Sequence, residues 1–142
     1  MSDALPTKLT LTSKAIAEAE VEAGPRVDTA GEAVPPGQIM ADLVAGGLAQ
    51  RGWKVEYRWT TYSAHAFDAQ RADTRYDVEV TLVDADSGAW TIVAKPRTGF
   101  FKRVFSSKVD ANEHALLRHD IDAALAADAR IASGGWAVDP NA

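Results

Sequence analysis

"WKVEYRWTT", residues 53–61, alternates Trp53, Val55, Tyr57 and Trp59 with Lys54, Glu56, Arg58 and Thr60. A period of two marks a strand with one buried face. The pattern returns in "RYDVEVTLVD" (75–84), where Tyr76, Val78, Val80 and Leu82 alternate with Arg75, Asp77, Glu79 and Thr81. "DADSG" (84–88) is a turn, and "AWTIVAK" (89–95) is a third, more apolar strand suited to a central position. The connection "YSAHAFDAQRAD" (62–73) shows neither period and takes no assignment.

Helices flank these strands. In "GQIMADLVAGGLAQRGW" (37–53), Ile39, Met40, Leu43, Val44 and Gly47 share one face at the helical period. A helical glycine costs about 1 kcal/mol relative to alanine, so a Gly47 kept on the apolar stripe implies a close backbone approach to a neighbour. Gly52 supplies a left-handed stop, with Trp53 as its hydrophobic follower. Further on, Asp110 and Glu113 make a capping-box-like start. Leu117, Ile121, Ala124 and Leu125 form the next stripe, and Gly134-Gly135 ends the region.

The expected fold is therefore α+β: an antiparallel three-stranded sheet, four-stranded if the N-terminus adds one, with two helices packed on its aromatic face. This domain spans 37–136, and 137–142 is a tail. Residues 1–36 read as an N-terminal helical arm. "TKLTLTS" (7–13) has a short alternation, a helix runs over about 13–23 from a Ser13 cap, and 24–37 is a linker with six Gly or Pro in fourteen residues.

Composition removes several functions. The 142 residues suit one domain, and the absence of cysteine excludes disulfide scaffolds, thiol catalysis and cysteine-based metal sites. "MSDALPTKLTLTSK" has neither the basic nor the apolar region of a secretion signal, and no apolar run approaches the ~20 residues that span a bilayer. A cytoplasmic location and no membrane partner are expected. The net charge is −5, yet "KPRTGFFKRVFSSK" (95–108) holds five cations, Lys95, Arg97, Lys102, Arg103 and Lys108, and no acid. The remainder has ten Lys/Arg against twenty Asp/Glu, which disfavours duplex nucleic acid. Phe100, Phe101, Val104 and Phe105 fall at helical spacing opposite Lys102 and Arg103. The stretch is thus a turn plugging the core with Phe, a cationic knob for an anionic group or a partner, or both.

Other polar residues carry less. Glu56, Asp77 and Glu79 alternate with Lys54, Arg58 and Arg75, so cross-strand pairing accounts for them. His114 lies near the last helix's apolar stripe and reads as a hydrogen-bonded, half-core residue; His119 lies opposite and exposed. Their spacing is not the metal-binding H-x-x-x-H, and "DADSG" has Lys95 where a calcium loop needs its bidentate Glu. No metal or cofactor is expected. His65 with Asp68 or Asp73 is the candidate acid–base group, but no nucleophile motif or phosphate loop accompanies it.

"RGWKVEYRWTTYSAHAFDAQRADTRYDVEVTL", "WTIVAKPRTGFFKRVF" and "HALLRHDIDAAL" together resemble small uncharacterised bacterial proteins of helix–three-strand–helix layout, some of them similar to immunity proteins of toxin systems. The resemblance covers roughly residues 35–136. Some immunity-like relatives carry a tryptophan-rich acidic motif after the first strand, where this chain has "TYSAHAF". The resemblance implies a non-enzymatic bacterial interaction protein, with immunity- or antitoxin-like neutralisation as one form. The residues themselves leave three functions open: docking of another protein, supported by the cationic patch and by Leu116 off the core stripe; binding of an anion or nucleic acid through Lys95, Arg97, Lys102 and Arg103; and a small hydrolase-like centre at His65. Oligomeric state stays open.

Overall fold

A computed structural model describes residues 6–72, 74–97 and 111–138. In chain order the elements are β1 (Lys8–Thr12), α1 (Lys14–Ala23), β2 (Arg26–Val27), β3 (Ala33–Val34), α2 (Gln38–Gln50), β4 (Lys54–Thr60), β5 (Ala64–Arg71), β6 (Thr74–Asp84), β7 (Ala89–Arg97), α3 (Ala111–Ala126) and β8 (Ala132–Ala137). Six strands make one antiparallel sheet in the order β4-β5-β6-β7-β1-β8, and β2 pairs with β3 in a separate two-stranded ribbon.

The class is α+β, but the three- or four-stranded sheet with two helices and a separate arm is overturned. Among the described residues the sheet has six strands, and three helices contribute to one core on one of its faces. Each extra element has a physical reason for having been hidden. In β5, Ala64, His65, Ala66, Phe67, Asp68 and Ala69 are all buried, so both faces of the strand are covered and no alternation survives. β8 contains Gly134, where a Cβ would lie 1.6 Å from the Thr10 carbonyl oxygen, so the glycine permits the approach to β1 and does not end the region. β1 is no part of a loose arm: it lies between β7 and β8, with Leu9 and Leu11 buried.

Of the other local readings, the Ser13 cap, the Gly24 stop and the close approach at Gly47 hold, and the spare Leu116 does not. The Ser13 hydroxyl caps α1 by accepting from the Ile16 N–H at 3.3 Å, and Gly24 ends that helix. The linker is folded around the β2–β3 ribbon, whose turn is tied by Asp28 Oδ1 accepting from the Ala30 and Glu32 N–H groups at 2.9 Å. Gly47 lies against α3: a Cβ there would stand 2.3 Å from the Ala124 Cβ. Leu116 is not spare; it is half-buried against the core. Gly37, at the start of α2, has no side chain to cap the helix, and the buried Glu20 does so from α1, accepting the Ile39 N–H at 2.6 Å and an Arg26 guanidinium N–H at 3.2 Å. No helix among the described residues is long and apolar enough to cross a membrane.

Candidate functional site

The face of the sheet opposite the helices carries the densest polar arrangement described. The register sets Asp68 of β5 directly opposite Asp77 of β6, and Arg75 of β6 opposite Arg97 of β7. Like charges facing each other across strands repel. Here they are resolved by crossed pairing: Arg75 Nη2 donates to Asp68 Oδ2 at 2.7 Å, Arg97 Nη1 approaches that same oxygen at 3.6 Å, and Arg97 Nη2 donates to Asp77. Asp68 is only 1% exposed, whereas the two guanidiniums are about 40% exposed above it. The acid is the anchor and the arginines are the outer layer. Hydrogen bonding to Asp68, reinforced by its charge, holds the Arg75 pKa above its ordinary value.

Two aromatic residues complete the cluster because β4 is not regular. Glu56 pairs with Asp68 and Trp59 with Ala66, so Tyr57 and Arg58 together oppose a single residue of β5. Tyr57 takes φ 55°, the left-handed region that a bulky side chain seldom enters. The inserted residue reverses the alternation. Val55 faces the core opposite Ala69, while Trp59 turns to the face that carries no helix among the described residues, the helix-free face, opposite Ala66. The expected single buried face of Trp53, Val55, Tyr57 and Trp59 is thereby broken: Trp53 is buried, and Tyr57 is 64% exposed. The Arg75 guanidinium lies 5.7 Å from the Tyr57 ring centroid and that of Arg97 lies 6.0 Å from Trp59, both within cation–π range.

The sequence singles out other residues as well. Lys95 and Arg97 lie on this face, in register with Asp77 and Arg75, while Lys102, Arg103, Lys108 and the intervening phenylalanines lie outside the described residues. His65 and Asp68 are not brought together. Three residues apart on one strand, they project to opposite faces. Asp73 lies outside the described residues. His65 is 94% buried on the helix side and its Nε2–H donates to the Pro35 carbonyl at 2.7 Å. His114 is fully buried, donates from Nε2 to the Pro6 carbonyl at 2.7 Å and packs on Tyr76; burial lowers its pKa. His119 is exposed. Glu56 pairs with Lys54 at 3.4 Å and Arg58 with Asp42 at 2.7 Å. Among the described residues there is no group of His, Asp or Glu able to hold a metal ion.

Sequence reasoning assigned Arg75 to a plain solvated face and missed Asp68 as its anchor, because β5 itself was not legible. No sequence signal marks the bulge. Compared with protein-family models, curated proteins and solved structures, the chain matches none.

Proposed function

We propose that this chain is a non-enzymatic, bacterial, cytoplasmic interaction domain that docks another protein on the helix-free face of its sheet, around Tyr57, Trp59, Arg75 and Arg97. The observation that carries the reading is the half-exposed guanidinium pair held from below by buried Asp68 and lying over two aromatic rings. Tyr, Trp and Arg are the residues that most often dominate binding energy at protein interfaces. Arginines already fixed by an ion pair and a ring lose less side-chain freedom on docking, which favours association. Immunity-like neutralisation of a toxin is one form of this function.

An anion site is less well served, since Asp68 and Asp77 already neutralise the two arginines. For a hydrolase centre, His65 and Asp68 project to opposite faces of β5. The test is affinity capture from native bacterial lysate at physiological salt, with the wild type beside a Trp59→Ala/Arg97→Ala variant whose unfolding midpoint is checked. The expected result is a protein retained by the wild type and reduced about tenfold or more by the variant. Equal retention by both, or no retained protein, overturns the reading.

A further inference from the structure

In β4, sequence and structure pull apart. Trp53, Val55, Tyr57 and Trp59 alternate as for one buried face, yet the inserted residue sends Trp59 to the helix-free face and leaves Tyr57 64% exposed. Tyr57 holds the left-handed φ of 55°, which an aromatic residue seldom adopts. β5 is the one neighbour of β4 among the described strands, so a change of register there breaks a single ladder.

A regular β4 is one residue away. Held with Glu56 opposite Asp68 and slid by one beyond it, the strand sets Tyr57 opposite Phe67, Arg58 opposite Ala66 and Trp59 opposite His65. Tyr57 then leaves the left-handed region, and the alternation of the sequence is restored. Two features of the structure fit what would arrive. On the helix side, a hollow of about 380 Å³ lies between α2 and the end of β4, walled by Gln38, Asp42, Arg58 and His65. Clefts of that volume hold whole small ligands, so one indole is readily admitted. On the other face, Asp68 is 1% exposed and its Oδ1 is buried without a hydrogen-bond partner. A buried acceptor calls for a donor. Arg58, paired with Asp42 at 2.7 Å in the bulged strand, would come to the Asp68 face within diagonal reach.

We propose that β4 exchanges between these two registers, and that the second withdraws Tyr57 and Trp59 from the helix-free face to the side of α2. The exchange is a property of β4 itself; its consequence, opening and closing the docking surface, rests on the function proposed above. A partner that grips Trp59 selects the bulged register, and its apparent affinity falls with the fraction of chain in the other.

The probe is the full chain labelled with 5-fluorotryptophan, with no partner present. Trp59→Phe identifies the Trp59 fluorine resonance. A second, less populated Trp59 resonance, linked to the first by saturation transfer, is expected. Its shift between light and heavy water is the smaller of the two, because the ring is then covered by α2. Tyr57→Gly accepts a left-handed φ freely and is expected to reduce the second population about tenfold or more. Tyr57→Val resists that φ and is expected to raise it about tenfold. The resonances of Trp53, Trp90 and Trp136 stay in place in both variants and report an intact fold. A lone Trp59 resonance without saturation transfer in the wild type overturns the proposal. So does a second resonance that Tyr57→Gly leaves undiminished or that Tyr57→Val diminishes. Lysate capture plays no part in this measurement, so failure of the exchange and failure of the docking function are read separately.

Discussion

Gly46 and Gly47 stand side by side in α2 but meet different surroundings. A Cβ on Gly46 would find no heavy atom within 4 Å, whereas one on Gly47 would fall 2.3 Å from the Ala124 Cβ. Replacing Gly46 by Ala is therefore expected to stabilise the fold by up to about 1 kcal/mol, the helical cost of glycine. The same change at Gly47 forces α2 from α3 and is expected to destabilise by about 1–3 kcal/mol, as overpacking does. Urea midpoints of the two single variants check the opposite signs. Gly47 was legible in the sequence because a glycine on an apolar helical stripe needs a packing reason. Tyr57 was not, because nothing in "KVEYRWT" distinguishes a regular strand from one with an inserted residue. That one residue decides whether Trp59 points to the core or to the candidate interface.

At the scale of elements, the strands that were legible bury one face and those that were not depart from that rule. β6 and β7 show clean alternation through Tyr76, Val78 and Val80 and through Trp90, Ile92 and Ala94, all buried. β5 offers small and polar residues to both covered faces, so its Asp68 reads as a loop acid. α3 is tied to the N-terminal segment by His114, whose Nε2–H donates to the Pro6 carbonyl while Nδ1 is buried without a hydrogen bond. Burial is the main cause of its lowered pKa, with Arg118 adding to it and the Pro6 bond opposing it. The folded chain therefore resists protonation at His114 more than the unfolded chain does. Its stabilising contribution is complete above the ordinary histidine value of 6.5 and is lost as pH falls from there through the lowered folded value. His114→Gln keeps a donor for Pro6 and removes the titration. Between pH 8 and pH 5 the urea midpoint of the wild type should fall more steeply than that of the variant; parallel profiles would show that His114 does not titrate as its burial requires.

The whole molecule is closed by its N-terminal segment. β1 holds β7 on one side and β8 on the other. The Thr7 carbonyl accepts from the Ala94 N–H at 2.8 Å, the Thr7 N–H donates to the Ala137 carbonyl at 3.0 Å, and the Ser13 carbonyl accepts the Trp90 indole N–H at 3.1 Å. Leu9, Leu11 and Ile16 are each at most 1% exposed. Burying one such side chain is worth roughly 1.5–3 kcal/mol, so three of them approach the ~5–15 kcal/mol that stabilises a typical domain. Without this segment β8 loses its one neighbour among the described strands, β7 becomes an edge of that sheet, and the Glu20 cap of α2 disappears. A chain of residues 37–142, the unit that alternation alone suggested, is expected to show no cooperative transition in urea. A peptide of residues 1–36 added in trans should restore one, because what is missing is a strand and a helix that fit an existing slot. A cooperative transition near the wild-type midpoint in the truncated chain would mean that the sheet closes without β1. The face on which Arg75 and Arg97 are held would then not depend on the N-terminus.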